Sequence, residues 1–311
     1  MGHESPFEGV DLVEVTSGLR FPEGPMAMPD GSVVLVEIQA QTLTRVHPDG
    51  TKETVADVGG GPNGAAIGPD GAVYLCNNGA YFDFADNSGF NVPTAGSAGW
   101  AKGSIQRVDL ATGSVETLYT ECDGHRLQAP NDIVFDTHGG FWLSYHGVHA
   151  AAEAAGAAVL YARADGSAIT AAIRGLDATN GVGLSPDGAT LYVAETYKGR
   201  LFAFDVTGPG QVAGSTIDDG RLLHDCAGSA MFDSLGVAGD GSVCVATLLT
   251  GGITSVPPDG GEASFLHVGD PLTTNICFGG DDLRTAWITS SGSGRLLRCT
   301  WPVPGLALAH G

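Results

Sequence analysis

Positive charge is scarce in this chain. Its 311 residues hold 14 Lys and Arg against 35 Asp and Glu, a formal charge of −21. A surface this acidic repels phosphate backbones, which argues against nucleic acid as a partner, and it concentrates cations. Long apolar runs are missing too. None approaches the ~20 residues of a membrane span, so no membrane partner is expected. The start, MGHESPFEGV, has no basic stretch and no apolar one, and it does not read as a secretory signal. These features predict a cytoplasmic protein. Cysteine pairing is absent: Cys76, Cys122, Cys226, Cys244, Cys277 and Cys299 form no CxxC, which leaves zinc and redox sites unsupported. Cys76, Cys244 and Cys277 lie in apolar, strand-like runs and read as small buried hydrophobes with free thiols. Helical periodicity is nearly absent as well; only HAAAEAAGAA (149–158) looks helical.

Glycine is plentiful, with 48 residues, and it marks many tight turns. The turns belong to an internal repeat. Six times, a strand-like run meets Asp-Gly or a close variant and a second run follows, as in EGPMAMPDGSVVLVEI (23–38) and TNGVGLSPDGATLYVAET (179–196). Such a turn between alternating runs predicts a hairpin. After most pairs comes a further hairpin, at 42–56, 104–119, 158–173 and 252–266. Each unit reads as four antiparallel strands, A to D. Six units predict an all-β, six-bladed β-propeller forming a single domain over 1–311. The last unit ends its third strand near GRLLRCTW (294–301), and the run VDLVEV (10–15) supplies its outer strand, closing the ring.

The repeat fixes a register. Stepping back seven positions from the A–B turn at Asp30, Asp70, His138, Asp187, Asp240 and Asp282 reaches Glu23, Asn63, Asn131, Asn180, Asp233 and Asn275. That position begins strand A, the innermost of each blade, so the six side chains should converge at one end of the central channel. Asn and Asp also favour strand entries through local hydrogen bonds. That habit explains any one of them, but not Glu23, nor six in one register. All six are oxygen donors. An oxygen-only set with two carboxylates suits a hard divalent cation such as Ca²⁺.

At these residues the sequence resembles the senescence-marker-protein/gluconolactonase family, which includes regucalcin and luciferin-regenerating enzymes. The matching motifs are FPEGP (21–25), PNDIVFD (130–136), TNGVGLSPDG (179–188) and DSLGV (233–237). The resemblance implies Glu23, Asn131, Asn180 and Asp233 as metal ligands, with Asn131 also a substrate contact. It implies Ca²⁺ most often, and Zn²⁺, Mn²⁺ or Fe²⁺ in some members. The implied activity is hydrolysis of a small lactone or ester, with the metal polarising the carbonyl and Asp233 as general base or water-orienting group. Members that cleave sugar lactones often carry Arg two residues before the Asn of the ND motif. Here that position is Ala129, with His125 and Arg126 close by in sequence.

Strand A leads away from the metal end and strand B returns, so the ends of the B strands should line the same cavity. They are Glu37, Asn77, Asn78, Tyr145, His146, Glu195, Thr196, Thr247 and Ser290. His146 is the second catalytic candidate, since imidazole exchanges protons near neutral pH; a hydrogen-bonded wall residue is the plainer alternative. Two B–C loops are long, 79–102 and 147–157, and read as lids on the metal side. The first carries Tyr81, Phe82, Phe84, Phe90 and Trp100 and points to a partly apolar substrate. The expected substrate contacts are Asn131, Asn63, Asn275, Asn78, Tyr145, Phe82 and Trp100, in a monomer or small homo-oligomer. Two other functions fit the same site: phosphotriester or fluorophosphate hydrolysis, and calcium binding without catalysis.

Overall fold

A computed structural model describes residues 5–97, 100–147 and 156–310. Six antiparallel sheets radiate from a central channel. Their inner A strands are Pro22–Ala27, Pro62–Ile67, Pro130–Phe135, Thr179–Leu184, Met231–Val237 and Thr273–Gly279. Each lies beside the next, and the first lies beside the sixth, so the ring is closed.

The B strands explain why the blades stack. In Val33–Glu37, successive side chains point to opposite faces of the sheet. Val33 and Leu35 pack on Trp287 and Leu296 of the sixth blade, whereas Val34 and Val36 pack on Val73 and Leu75 of the second. Both faces of a B strand are therefore buried, which accounts for their nearly continuous apolar runs. The core is divided into six such clusters, one at each blade interface. Burying one of these side chains contributes roughly 1.5–3 kcal/mol.

The ring closes as expected. Val13–Thr16 pairs antiparallel with Arg295–Thr300 as the outer strand of the sixth blade. The paired segment starts three residues later than VDLVEV, because Val10 and Leu12 pack instead on the cluster between blades five and six. The fourth blade has a long C strand, Arg200–Gly208, before its outer strand Arg221–Asp225.

The stretch 79–102 is more ordered than a loop. Phe82–Asn87 and Phe90–Ala95 form a hairpin around Ser88 and Gly89, at φ 56° and 88°. Positive φ at both central residues is the tight-turn geometry that matches strand twist. The second expected lid, 147–157, and the helix-like run at 149–158 fall mostly outside the described residues. Among the described residues the only helical element is a 3₁₀ turn, Ile217–Asp219, and no helix is long and apolar enough to cross a membrane. All six cysteines are free thiols, and burial pushes Cys244 and Cys277 up to about 12.

Candidate metal centre at the channel mouth

Every A strand breaks register with its B strand at the level of the ring. The pairing shifts between Glu23 and Met26, Pro62 and Ala65, Pro130 and Ile133, Thr179 and Val182, Phe232 and Leu235, and Thr273 and Asn275. A bulge bends its strand and re-aims a side chain. Six bulges at one level set five of the polar residues apart from the ladders that follow, while Asn275 opens its ladder opposite Thr289. Neighbouring A strands approach closely there. A Cβ on Gly24, at φ 50°, would come within 2.7 Å of the Asn63 carbonyl oxygen. A Cβ on Gly64 would come within 2.5 Å of the Asp132 Cα. Glycine directly after the ring residue is what lets the first three blades meet at the axis.

The ring is tied together by its own hydrogen bonds. Asn275 donates from Nδ2 to Glu23 Oε2 at 2.7 Å, and the Gly24 N–H donates to the same oxygen at 2.6 Å. Asn180 donates from Nδ2 to Thr196 at 3.1 Å, and the Ser234 hydroxyl donates to Asn180 Oδ1 at 3.3 Å. Glu23, Asn63, Asn131, Asn180 and Asn275 are buried, while Asp233 keeps partial exposure.

Burial pushes the Glu23 carboxyl well above the usual range, and the nearby Asp233 and Asp132 charges add to the rise. Burial also pushes Asp233 up to about 7, with a further contribution from the Asp132 charge, against hydrogen bonds from Asn180 and the Ser234 N–H. Asp132 itself is pushed up to about 7 by burial. Three carboxyls thus share one poorly solvated region.

The donor set fits a divalent cation. Glu23 Oε1 and Asn131 Oδ1 are buried acceptors with no hydrogen-bond partner. A buried acceptor without a donor costs on the order of 1–3 kcal/mol, more when charged. A cation among the six would supply the missing partner and relieve the carboxylate repulsion. Among the described residues no three His, Cys, Asp or Glu side chains gather in a metal-holding group. The ring donors are instead mostly carboxamides.

Asp132 is the residue that sequence reasoning passed over. It follows Asn131, where the first, second and fourth blades have glycine. Its Oδ1 accepts from the Ile133 N–H at 2.9 Å and its Oδ2 from the Val182 N–H at 3.3 Å. That side chain bridges the third and fourth A strands just beyond the ring. A departure from glycine in an aligned column was the available signal. Past it, a cavity of about 1,020 Å³ runs down the channel to the opposite face, where Leu306–His310 line it.

The expected rim divides in two. Glu37 accepts from the Arg20 N–H at 2.6 Å and from Thr44 at 2.7 Å; Glu195 accepts from the Asp177 N–H and from Arg200, both at 2.7 Å. Asn77 is likewise consumed by backbone groups and by Gln106. These are structural. Tyr145 is turned into the core between blades two and three, and its hydroxyl accepts from the Gln128 N–H at 3.2 Å. Asn78 is buried beneath the lid: its Oδ1 accepts from the Tyr81 N–H, its carbonyl accepts from Trp100 Nε1, and its Nδ2 has no acceptor. His146 is partly accessible, with its ring 5.9 Å from that of Tyr197. Phe82 and Trp100 flank Tyr81 at 5.0 and 5.5 Å. His125 and Arg126 are exposed and line a small cleft with Cys122 and Arg174.

Residues 21–292 match the SMP-30/gluconolactonase/LRE-like region. The chain belongs to this family. It is 30% identical over 135 residues to a 6-deoxy-6-sulfogluconolactonase of Pseudomonas putida, covering 42% of this chain and 45% of that protein. It is 27% identical over 210 residues to the lactonase drp35 of Staphylococcus aureus, covering 66% and 58%. The chain thus spans about half the length of the curated relatives it matches. In structure it is similar to a gluconolactonase from Xanthomonas campestris (TM-score 0.74, 22% identity, 94% of this chain and 89% of that one). It is also similar to a calcium-binding regucalcin from Agrobacterium tumefaciens (TM-score 0.71, 17% identity, 95% and 96%). At these identities the structural likeness shows the shared propeller fold.

Proposed function

We propose that the chain is a metal-dependent hydrolase that opens small lactones. The observation that carries this reading is the pair of buried, partnerless acceptors, Glu23 Oε1 and Asn131 Oδ1, in a ring made only of oxygen donors. Glu23, Asn131, Asn180 and Asp233 would hold the cation. An all-oxygen set favours Ca²⁺, with Zn²⁺, Mn²⁺ and Fe²⁺ as the other candidates. When bound, the cation supplies Lewis-acid polarisation of the carbonyl. The names of the Pseudomonas and Staphylococcus relatives support a lactone as substrate.

The chain's own residues supply the remainder. Asp233 is the ring carboxylate whose residue keeps partial exposure, which suits it to meet a water in the channel. It takes a proton from that water as the oxygen adds to the carbonyl carbon. The ring C–O bond then breaks, and the departing alkoxide takes a proton from Asp233 or from His146 on the rim. The product is the open hydroxy acid. A carboxylate beside a dication is a weak base, which suits the activated carbonyl of a lactone and not an amide. Asn78 offers a buried Nδ2 donor for a substrate oxygen.

Hydrolysis of a lactone panel before and after chelation tests this reading. Turnover should vanish in the chelated protein and return with added Ca²⁺. Equal rates in chelated and loaded samples would refute it.

A further inference from the structure

Four blades share one B–C turn length. The last B–C pairs before the turns are Glu37 with Thr42, Glu195 with Arg200, Thr247 with Gly252 and Ser290 with Arg295. Four residues span each turn, and the second of them is Gln39, Tyr197, Leu249 or Gly292. These residues occupy equivalent places around the metal-side face.

The hairpin from the second blade covers two of them. Near its tip, Asn91 donates from Nδ2 to Gln39 Oε1 and from its N–H to the Gly292 carbonyl, both at 2.7 Å. A Cβ on Gly292 would lie 3.1 Å from the Phe90 ring, so Phe90 sits against that glycine. Phe84 packs on Phe21 of the first blade at 5.2 Å. The hairpin therefore shuts the face over blades six and one.

Over blades four and five the same position carries Tyr197 and Leu249, 50% and 57% exposed. Among the described residues few large apolar side chains are exposed, and these two share one turn position in adjacent blades. Tyr197 stands beside His146, ring to ring at 5.9 Å. In the lid, Tyr81 packs on Phe82 and Trp100. Beyond the lid, Tyr197 and Leu249 thus leave apolar surface open on blades four and five. Cations on the metal-side turns and the lid are committed elsewhere: Lys198 to Asp177 at 3.3 Å, Arg200 to Glu195, Arg20 to Gln39, and Lys102 over the Trp100 ring at 3.8 Å. An anionic substrate group would gain little here, and the net charge of −21 opposes its approach.

We propose that this open sector, lined by Tyr197 and Leu249, is a subsite for an apolar substituent, so that the substrate is an uncharged lactone bearing an alkyl or aryl group. The proposal rests on the lactonase reading of the ring and names its substrate class.

The test compares three lactones on the metal-loaded protein: a phenyl-substituted one, its unsubstituted parent, and a polyhydroxylated sugar lactone. It uses wild type, Tyr197→Ala and Leu249→Ala. Binding of the phenyl-substituted lactam, which resists hydrolysis, is measured alongside by calorimetry. The wild type should prefer the phenyl-substituted lactone. Each variant should lower the phenyl-to-parent ratio of kcat/KM by about tenfold, mainly through KM, and weaken lactam binding comparably. A preference for the sugar lactone, or equal ratios and lactam affinities in all three proteins, would overturn the subsite while leaving the ring chemistry standing. Lactam binding that depends on Tyr197 and Leu249 without turnover of any lactone would keep the subsite and sink the hydrolase reading instead.

Discussion

Asn275 and Glu23 meet across the join between the last blade and the first, Nδ2 to Oε2 at 2.7 Å. They lie 252 residues apart in sequence. With the Gly24 N–H on the same oxygen, the contact saturates Oε2 and leaves Oε1 as the carboxylate's open end. Asn275 is itself held, because its Oδ1 accepts from the Ile276 N–H at 2.8 Å. Its place is that of a positioning residue for Glu23. Groups that orient a metal-binding side chain are worth roughly 10–100-fold in affinity. Asn275→Ala should weaken calcium binding by that order in a calorimetric titration, with the fold retained by circular dichroism. Unchanged affinity would remove the positioning role.

Acid and base act in opposite directions on the chelated protein. Glu23, Asp132 and Asp233 have folded-state affinities for protons raised by burial, the last two to about 7. Unfolded carboxyls titrate near ~4. The folded state therefore binds extra protons between about pH 4 and 7, and stability falls as pH rises through that window. Turn aspartates such as Asp49 and Asp165 go the other way: hydrogen bonds from Thr51 and Ser167 lower them, and their contribution is lost as pH falls below about 4. The chelated protein should melt highest near pH 5 and roughly 5 °C lower at pH 8. The calcium-loaded protein should not lose stability over that range. A chelated protein that gains stability from pH 5 to 8 would contradict the buried carboxylate cluster.

The lid hairpin depends on a missing side chain. A Cβ at Gly292 would fall 2.8 Å from Asp270 Oδ1 and 3.1 Å from both Leu272 and Phe90. Gly292→Val should lift the hairpin off blade six. Hydrogen exchange at 82–95 should rise, and KM should change more than the melting temperature. Unaltered protection of those amides would show that the latch does not depend on Gly292.

Phe232 precedes Asp233 and is fully buried between blades four and five. Phe232→Ala should cost about 3–5 kcal/mol through the cavity it leaves, read as a lower denaturant midpoint. A change below about 1 kcal/mol would show that this interface collapses around the gap.

Much of the architecture was legible because the repeat fixes a register. One seven-residue offset from the A–B turn placed Glu23 and Asn275 at the same level, although no local pattern links them. Nearly continuous apolar runs on the B strands, set off by Gly turns, made each blade readable alone. What escaped depends on direction and on distant partners. Tyr145 ends a B strand as expected, yet alternation puts its ring on the face of Phe141 and Leu143, in the core between two blades, and reading it as a rim residue overlooked that face. The 82–95 hairpin turns at Asn-Ser-Gly-Phe and lies outside the six-fold repeat whose turns marked the blades. Its latch on Gln39 and Gly292 joins three blades and leaves no trace in sequence spacing. Asp132 was visible as the one acidic residue in a column of small or apolar ones, but it gains meaning only when the Val182 amide is seen to reach it.

The ring should hold one divalent cation through Glu23 and Asp233. The decisive measurement is the metal content of the purified wild type and of Glu23→Gln and Asp233→Asn after loading with Ca²⁺ and exhaustive dialysis. The wild type should retain about one equivalent, the ring having room for a single site between two carboxylates, and each variant should retain almost none while remaining folded. Equal retention in all three proteins, or none in the wild type, would contradict a cation held by these two carboxylates.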